Sequence, residues 1–149
     1  MVDRVGEGLR LPYYTADMVR ALPDDGNRYE VVHGELLVTP APRRWHQAIV
    51  GRLVFALTQY VLAHRLGGVF ASPADVSWGP DVLVQPDVFV VPPVQGRARV
   101  RELEWSDISE LLLVAEVLSR ATSRYDRFIK RRRYQEAGVP LLSDLLRHA

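Results

Sequence analysis

The run Leu111-Leu112-Leu113-Val114-Ala115-Glu116-Val117-Leu118 constrains this chain more than any other segment. A short, nearly continuous apolar stretch is the mark of a β-strand covered on both faces. Such a strand needs layers above and below it. That places the chain in the α/β (α+β) class, with a central mixed sheet flanked by helices. The one interruption is Glu116, near the C-terminal end of the run. A lone ionised carboxylate is costly to bury, so Glu116 must be paired, hydrogen-bonded, protonated or metal-bound. Strand alternation puts it on one face with Leu112, Val114 and Leu118.

The other elements follow from periodicity and turn chemistry. Residues 13–22 read as a short helix capped by Thr15, with Met18, Val19 and Leu22 as its apolar stripe. Residues 28–39 read as a hairpin turning at His33-Gly34. The strongest helix signal covers 45–66. There Ile49, Val50, Leu53, Val54, Leu57, Tyr60, Val61 and His64 share one broad face, and Gly67-Gly68 closes the helix. A strand over about 69–78 comes next, then a β-branched strand over 82–91. Pro86 inside the latter predicts an edge or a bulge, because proline has no ladder donor. Residues 92–107 read as a loop. Residues 123–137 read as a helix opened by Ser123 and Asp126 and ended by Gly138. With 149 residues and no repeat, the whole of 1–149 is expected to be one domain. Without cysteine, disulfides, iron–sulfur clusters and thiolate zinc sites are excluded. No stretch approaches a membrane span and residues 1–10 lack the apolar run of a signal peptide, so the expected location is cytoplasmic.

Asp87, in QPDVFVV, has the same character as Glu116, though on its own Pro86-Asp87 reads equally as a strand start. If strands 82–91 and 111–118 are neighbours, their backbones lie about 4.8 Å apart. Two carboxylates at that separation repel and call for a cation. Mg²⁺ or Mn²⁺, with water completing the coordination, would suit. Such an ion can lower the pKa of a water and neutralise charge on a phosphodiester. Net charge is only +1, so bulk electrostatics announce no polyanionic partner. The distribution is more telling: of nineteen basic residues eighteen are arginine, and the one lysine is Lys130. An ammonium at that position can stabilise a hydroxide or a pentavalent phosphate. The plain alternative is an i,i+4 surface pair with Asp126, worth little. Arg43, Arg44, Arg124, Arg127, Arg131, Arg132 and Arg133 are candidate phosphate contacts in DNA.

Taken in order, RYEVVHGELLVTPAP (28–42), His46 opening the long helix, QPDVFVV (85–91), VAEVLS (114–119) and Asp126, Lys130, Tyr134 and Gly138-Val139 resemble the Uma-type restriction endonuclease family. That bacterial family belongs to the PD-(D/E)XK nuclease superfamily. The resemblance covers about residues 13–140. It implies a restriction-endonuclease-like core, a Mg²⁺- or Mn²⁺-dependent endonuclease acting on DNA, and a homodimer. It implies Asp87 and Glu116 as the motif acids and metal ligands, with the Val117 carbonyl as a third ligand. The superfamily lysine usually lies two residues after the acid, where this chain has Leu118. In this family it has moved to the following helix, where Lys130 stands. Glu30 corresponds to a family glutamate in the hairpin, as a further acid at the site or as structural support. His46, Ser119, Asp126 and Tyr134 correspond to supporting residues. The chain departs from the family after Pro140: LLSDLLRHA replaces an aromatic-rich strand. The last core strand is therefore expected to be lost, with 141–149 a divergent tail, either a short amphipathic helix or frayed. That departure motivates a second reading, a catalytically inactive DNA-binding or dimerising remnant. A third is another metal-assisted hydrolase on the same core.

Overall fold

The computed structural model describes residues 12–94, 105, 108, 110–118 and 124–142. The readings for residues 1–10, Ser119, Ser123, most of 92–107 and the tail beyond 142 lie outside these described residues. In chain order the elements are α1 (Ala16–Arg20), β1 (Arg28–Val32), β2 (Glu35–Thr39), α2 (Arg44–Ala63), β3 (Gly68–Ala71), β4 (Val76–Gly79), β5 (Val82–Val84), β6 (Val88–Val91), β7 (Leu113–Ala115), α3 (Arg124–Glu136) and β8 (Leu141–Leu142). The strands form two four-stranded sheets, ordered β2-β1-β5-β4 and β3-β6-β7-β8. The mixed α+β class stands. The single central sheet becomes two, and the parallel pairing is confined to β7 and β8.

The division has a local cause. The two strands expected over 69–78 and 82–91 each break in the middle, at residues 72–75 and 85–87. Pro86 can donate nothing to a ladder. The chain replaces the missing pairing with other bonds. The Ser72 amide donates to the Asp87 carbonyl at 3.2 Å, and Ser72 Oγ donates to the Pro86 carbonyl at 2.7 Å. Gln85 Nε2 donates to Asp75 across the same break. Each arm of this long hairpin is therefore divided: its turn-proximal half, β4 with β5, pairs in the first sheet, and its outer half, β3 with β6, pairs in the second. The bend falls directly before Asp87.

The β1–β2 hairpin turns as expected. His33 and Gly34 have φ of 49° and 82°, the doubly positive pair of a tight hairpin turn. Gly34 also leaves room for the Tyr13 ring, which a Cβ would meet at 2.2 Å. Helix α1 is shorter than expected, and Thr15 caps it by accepting from the Met18 amide. Only Val19 of its predicted stripe is buried; Met18 is exposed. Helix α2 ends at Ala63, before Gly67-Gly68, because Arg65 turns to φ 54° and the Leu66 amide bonds back to the Val61 carbonyl. Its buried stripe is narrower than the sequence pattern; among the described residues its main cover is the second sheet, through β3 and β6. Tyr60 and His64 are consequently exposed and stack on each other, ring centroids 4.0 Å apart.

Strand β7 is covered on both faces, as its composition requires: the consecutive residues Val114 and Ala115 are both fully buried. Helix α3 stops at Gly138, with φ 69°, and the Val139 amide bonds back to the Tyr134 carbonyl. The chain then enters β8, and this corrects the expectation of a lost last strand. Leu141 and Leu142 pair in parallel with Val114 and Ala115. The apolar pair supplies the edge even without aromatic residues, because a backbone ladder needs only extended geometry and free donors.

The main core lies between the sheets and α3, around Val76, Val84, Phe89, Val114, Tyr134 and Val139. Phe89 is fully buried there, with the Phe70 and Trp105 rings at 5.8 and 5.7 Å. Phe89→Ala is expected to cost about 3–5 kcal/mol of unfolding free energy in a denaturant titration. A loss under about 1 kcal/mol would show that this ring is not where the sheets meet.

Candidate active site

The pairing Val88↔Ala115, Phe89↔Val114 and Val90↔Leu113 sets the geometry of the site. Continued by one step, the register puts Asp87 opposite Glu116, just past the end of the ladder. Opposed residues of an antiparallel pair share a face, with Cβ atoms roughly 5 Å apart. Glu30 comes from the middle of β1 in the other sheet. Arg28 lies two residues earlier on the same strand and hence on the same face. Helix α3 adds Lys130 and, one turn later, Tyr134. Helix α2 adds His46 from its first turn. Glu30, Asp87, Glu116, Lys130 and His46 are the buried polar and charged residues among those described.

The contacts join these groups into one cluster. Lys130 Nζ stands 2.6 Å from Glu116 Oε1 and 2.9 Å from Glu30 Oε1. Tyr134 donates its hydroxyl to Glu116 Oε1 at 2.7 Å. Glu30 Oε1 also accepts the Gln85 amide at 2.7 Å, which ties the bend between β5 and β6 to β1. Asp87 Oδ1 accepts from Arg28 Nη1 at 2.7 Å. Asp87 Oδ2 accepts the Val117 amide at 2.7 Å and lies 3.3 Å from His46 Nε2. His46 Nδ1 is buried and has no partner.

The environment separates the two opposed acids. Burial pushes Asp87 upward, but the His46 hydrogen bond and the Arg28 and Lys130 charges outweigh it, and its carboxyl is held well below the usual range. Glu116 goes the other way. Burial is the largest influence; Lys130 pulls it down, Asp87 and Glu30 push it up, and it arrives at about 7. Burial pulls Lys130 down, but the charges of Glu116 and Glu30 outweigh it, and its ammonium is held above the ordinary lysine value. Burial and the Glu116 charge raise Tyr134 well above 10, so it serves as a neutral donor. The cluster therefore contains a firmly ionised acid and an acid raised to about 7, the separation of neighbouring carboxyls that acid–base and metal sites commonly show.

Of the residues expected from sequence, Glu30, Asp87, Glu116, Lys130, His46 and Tyr134 converge in space. Val117 meets the site through its amide. Asp126 is half-buried on α3, a turn before Lys130. Arg28 was missed by the sequence reading, although its spacing from Glu30 in the strand RYEVV carried the signal. Among the candidate phosphate contacts, Arg132 and Arg133 pair with Glu136, and Arg133 lies over the Trp78 ring at 5.1 Å. Arg43, Arg44, Arg124 and Arg131 are exposed.

The donor chemistry suits a hard dication of the kind held by two carboxylates and water. Asp87 Oδ1 has one protein donor and Glu116 Oε2 has none among the described residues, so lone pairs remain on both acids. Burial raises Glu116 most, and the Asp87 and Glu30 charges add to it against the pull of Lys130 and Arg28. The fit is to that two-carboxylate mode only: among the described residues no group of three or more histidine, aspartate or glutamate side chains is arranged to hold a metal. No helix among them is long and apolar enough to cross a membrane.

The Uma2 family, described as "Putative restriction endonuclease", matches residues 16–143, and the chain belongs to that family. Its fold is similar to the crystal structure of a putative nuclease belonging to DUF820 from Anabaena variabilis. The TM-score is 0.64 at 18% identity, over 87% of this chain and 74% of that one. No curated protein matches. The family and the shared fold together support a nuclease in general terms, on a restriction-endonuclease-like scaffold.

Glu116 makes stability depend on pH. Its folded pKa, about 7, is above its ordinary 4.5. The folded state therefore holds the proton more tightly, and the resulting stabilisation is complete below 4.5 and is lost as pH rises through about 7. In metal-free buffer, wild type should lose up to about 3 kcal/mol relative to Glu116→Gln between pH 4.5 and 8. Parallel pH profiles for the two proteins in chemical unfolding would refute the raised carboxyl.

Proposed function

We propose that this protein is a Mg²⁺- or Mn²⁺-dependent endonuclease that hydrolyses phosphodiester bonds in DNA. Asp87 and Glu116 hold the metal and Lys130 is the cation at the reacting phosphate. The observation that carries the reading is the convergence of three groups. Two acids face each other across β6 and β7, and the only lysine of the chain reaches between β1 and β7 to stand 2.6 Å from one of them. The family membership supports the same class of reaction. When bound, the dication supplies Lewis-acid neutralisation of the phosphodiester and a water of lowered pKa. The Val117 carbonyl enters as a third oxygen on the strength of the resemblance alone.

The chain's own residues have separable tasks. Asp87 is kept ionised by Arg28, His46 and the Val117 amide, so it is a carboxylate ligand at any working pH. Tyr134 fixes Glu116 by its Oε1, which leaves Oε2 for a ligand. Glu30 holds Lys130 in place. An ammonium has three donors; two are given to Glu30 and Glu116, and the third has no protein acceptor among the described residues. That donor is the one available to a phosphate oxygen or a hydroxide in the transition state. The motive for an inactive remnant was a missing last strand, and β8 removes that motive.

Nicking of supercoiled plasmid with Mg²⁺ or Mn²⁺ should be abolished in Asp87→Ala. It should fall about 10²-fold or more in Lys130→Ala, the scale of losing one transition-state donor. Equal rates for wild type and both variants would end the assignment. Calorimetry adds a second readout: Mn²⁺ should bind wild type and not Glu116→Ala. Its affinity should strengthen as pH rises from 6 to 8, because metal and proton compete for the same carboxylate.

A further inference from the structure

Arg28 differs from the rest of the cluster in exposure. Its side chain is 19% accessible, against 9% for Lys130, 11% for Glu116, 10% for His46 and 2% for Asp87. It therefore stands at the mouth of a site whose other charged groups are closed off. Its protein contacts use a single nitrogen. Nη1 donates to the Gln85 carbonyl at 3.0 Å and to Asp87 Oδ1 at 2.7 Å. A guanidinium has five N–H donors in a rigid fork. The Nη2 and Nε donors have no hydrogen-bond partner among the described residues. One side of the fork is anchored and oriented by the Gln85 carbonyl and Asp87, and the donors of the other side are unused among the described residues.

We infer that Arg28 is a substrate-binding residue that clamps a DNA phosphate with Nη2 and Nε, in addition to setting Asp87. This deepens the nuclease reading and rests on it. The chemistry favours the phosphate over a purely structural role. The planar fork matches two phosphate oxygens, and its orientation is already fixed by two bonds, so little entropy is lost on binding. The charge balance agrees. A guanidinium stays protonated in proteins at every ordinary pH. Its positive charge is thus available at the mouth at any working pH. A bare ion pair to Asp87 would be satisfied equally by a lysine. A phosphate clamp would not.

The test measures DNA affinity rather than turnover, in the Glu116→Gln background and in EDTA, so that neither cleavage nor metal enters. A fluorescent duplex is titrated over a range of salt. Adding Arg28→Ala should weaken binding about tenfold at every sequence and reduce the salt slope of log K by about one, the signature of one lost phosphate contact. Arg28→Lys preserves the charge beside Asp87 and guards against a folding defect. It should melt like its parent yet bind several-fold more weakly, with the slope retained. In the otherwise wild-type protein, Arg28→Lys should raise KM for DNA more than it lowers kcat. An unchanged affinity and slope in both variants, with the parent binding normally, overturns the clamp and leaves the nuclease reading intact. A Glu116→Gln parent that does not bind DNA, together with a wild-type protein that does not cleave it with Mg²⁺ or Mn²⁺, overturns both.

Discussion

The Lys130 ammonium, shared between Glu30 and Glu116, is the contact on which the arrangement depends. Glu30 belongs to the first sheet, Glu116 follows the central strand of the second, and Lys130 rides on α3. One buried cation thus joins three separate elements at a point where packing alone would leave two carboxylates facing each other. Arg28 does the same from β1 to the bend before β6 through Asp87. A buried ion pair adds little net stability, because desolvation offsets most of the attraction. Breaking one is costly, since the orphaned partner is left charged in a poor solvent. The cluster therefore specifies how the sheets and α3 dock more than it strengthens the fold.

The same excess of charge makes the cluster useful. Three carboxylates meet two protein cations, and Glu116, raised first by burial and then by Asp87 and Glu30, holds its proton until about pH 7. A structural network would be expected to close its charge balance within the protein. This one stays open by about one positive charge and keeps lone pairs on both opposed acids. The apolar core around Phe89 and Tyr134 lies directly beneath, so water is excluded from one side, and the electrostatic effects of each group are correspondingly strong.

Much of this was legible one residue at a time. Glu116 stood out because it broke an apolar run, and Lys130 because it was the only lysine in a chain built with arginine. The hairpin at His33-Gly34 and the stop at Gly138 followed from backbone chemistry that few residues tolerate. Other features were misjudged for reasons that lie outside any single segment. Tyr60 and His64 fit the helical period of α2, but among the described residues nothing covers that part of the helix, and both are exposed. Pro86 marked an irregularity in the strand over 82–91, but only the pairing and the bonds among Ser72, Pro86 and Asp87 reveal that both strands divide between sheets. Leu141-Leu142 looked like the start of a tail because its partner, β7, is more than twenty residues away. Arg28 was overlooked because an arginine at the start of a strand is ordinary until its neighbours across the sheet are known.

Composition and local order determined that this chain would make layered strands and helices, and which acids and which single lysine were too costly to bury without a purpose. Those are properties of residue chemistry and of periods of two and 3.6, which act over a few neighbours. Only the tertiary structure decided that the hairpin bends into two sheets, that residues 87 and 116 fall opposite each other, and that Arg28 completes the cluster. The docking of the sheets and α3 depends on contacts between residues as far apart as 100 positions along the chain, as Glu30 and Lys130 are. No local pattern encodes such pairings, because they are chosen by the packing of the whole.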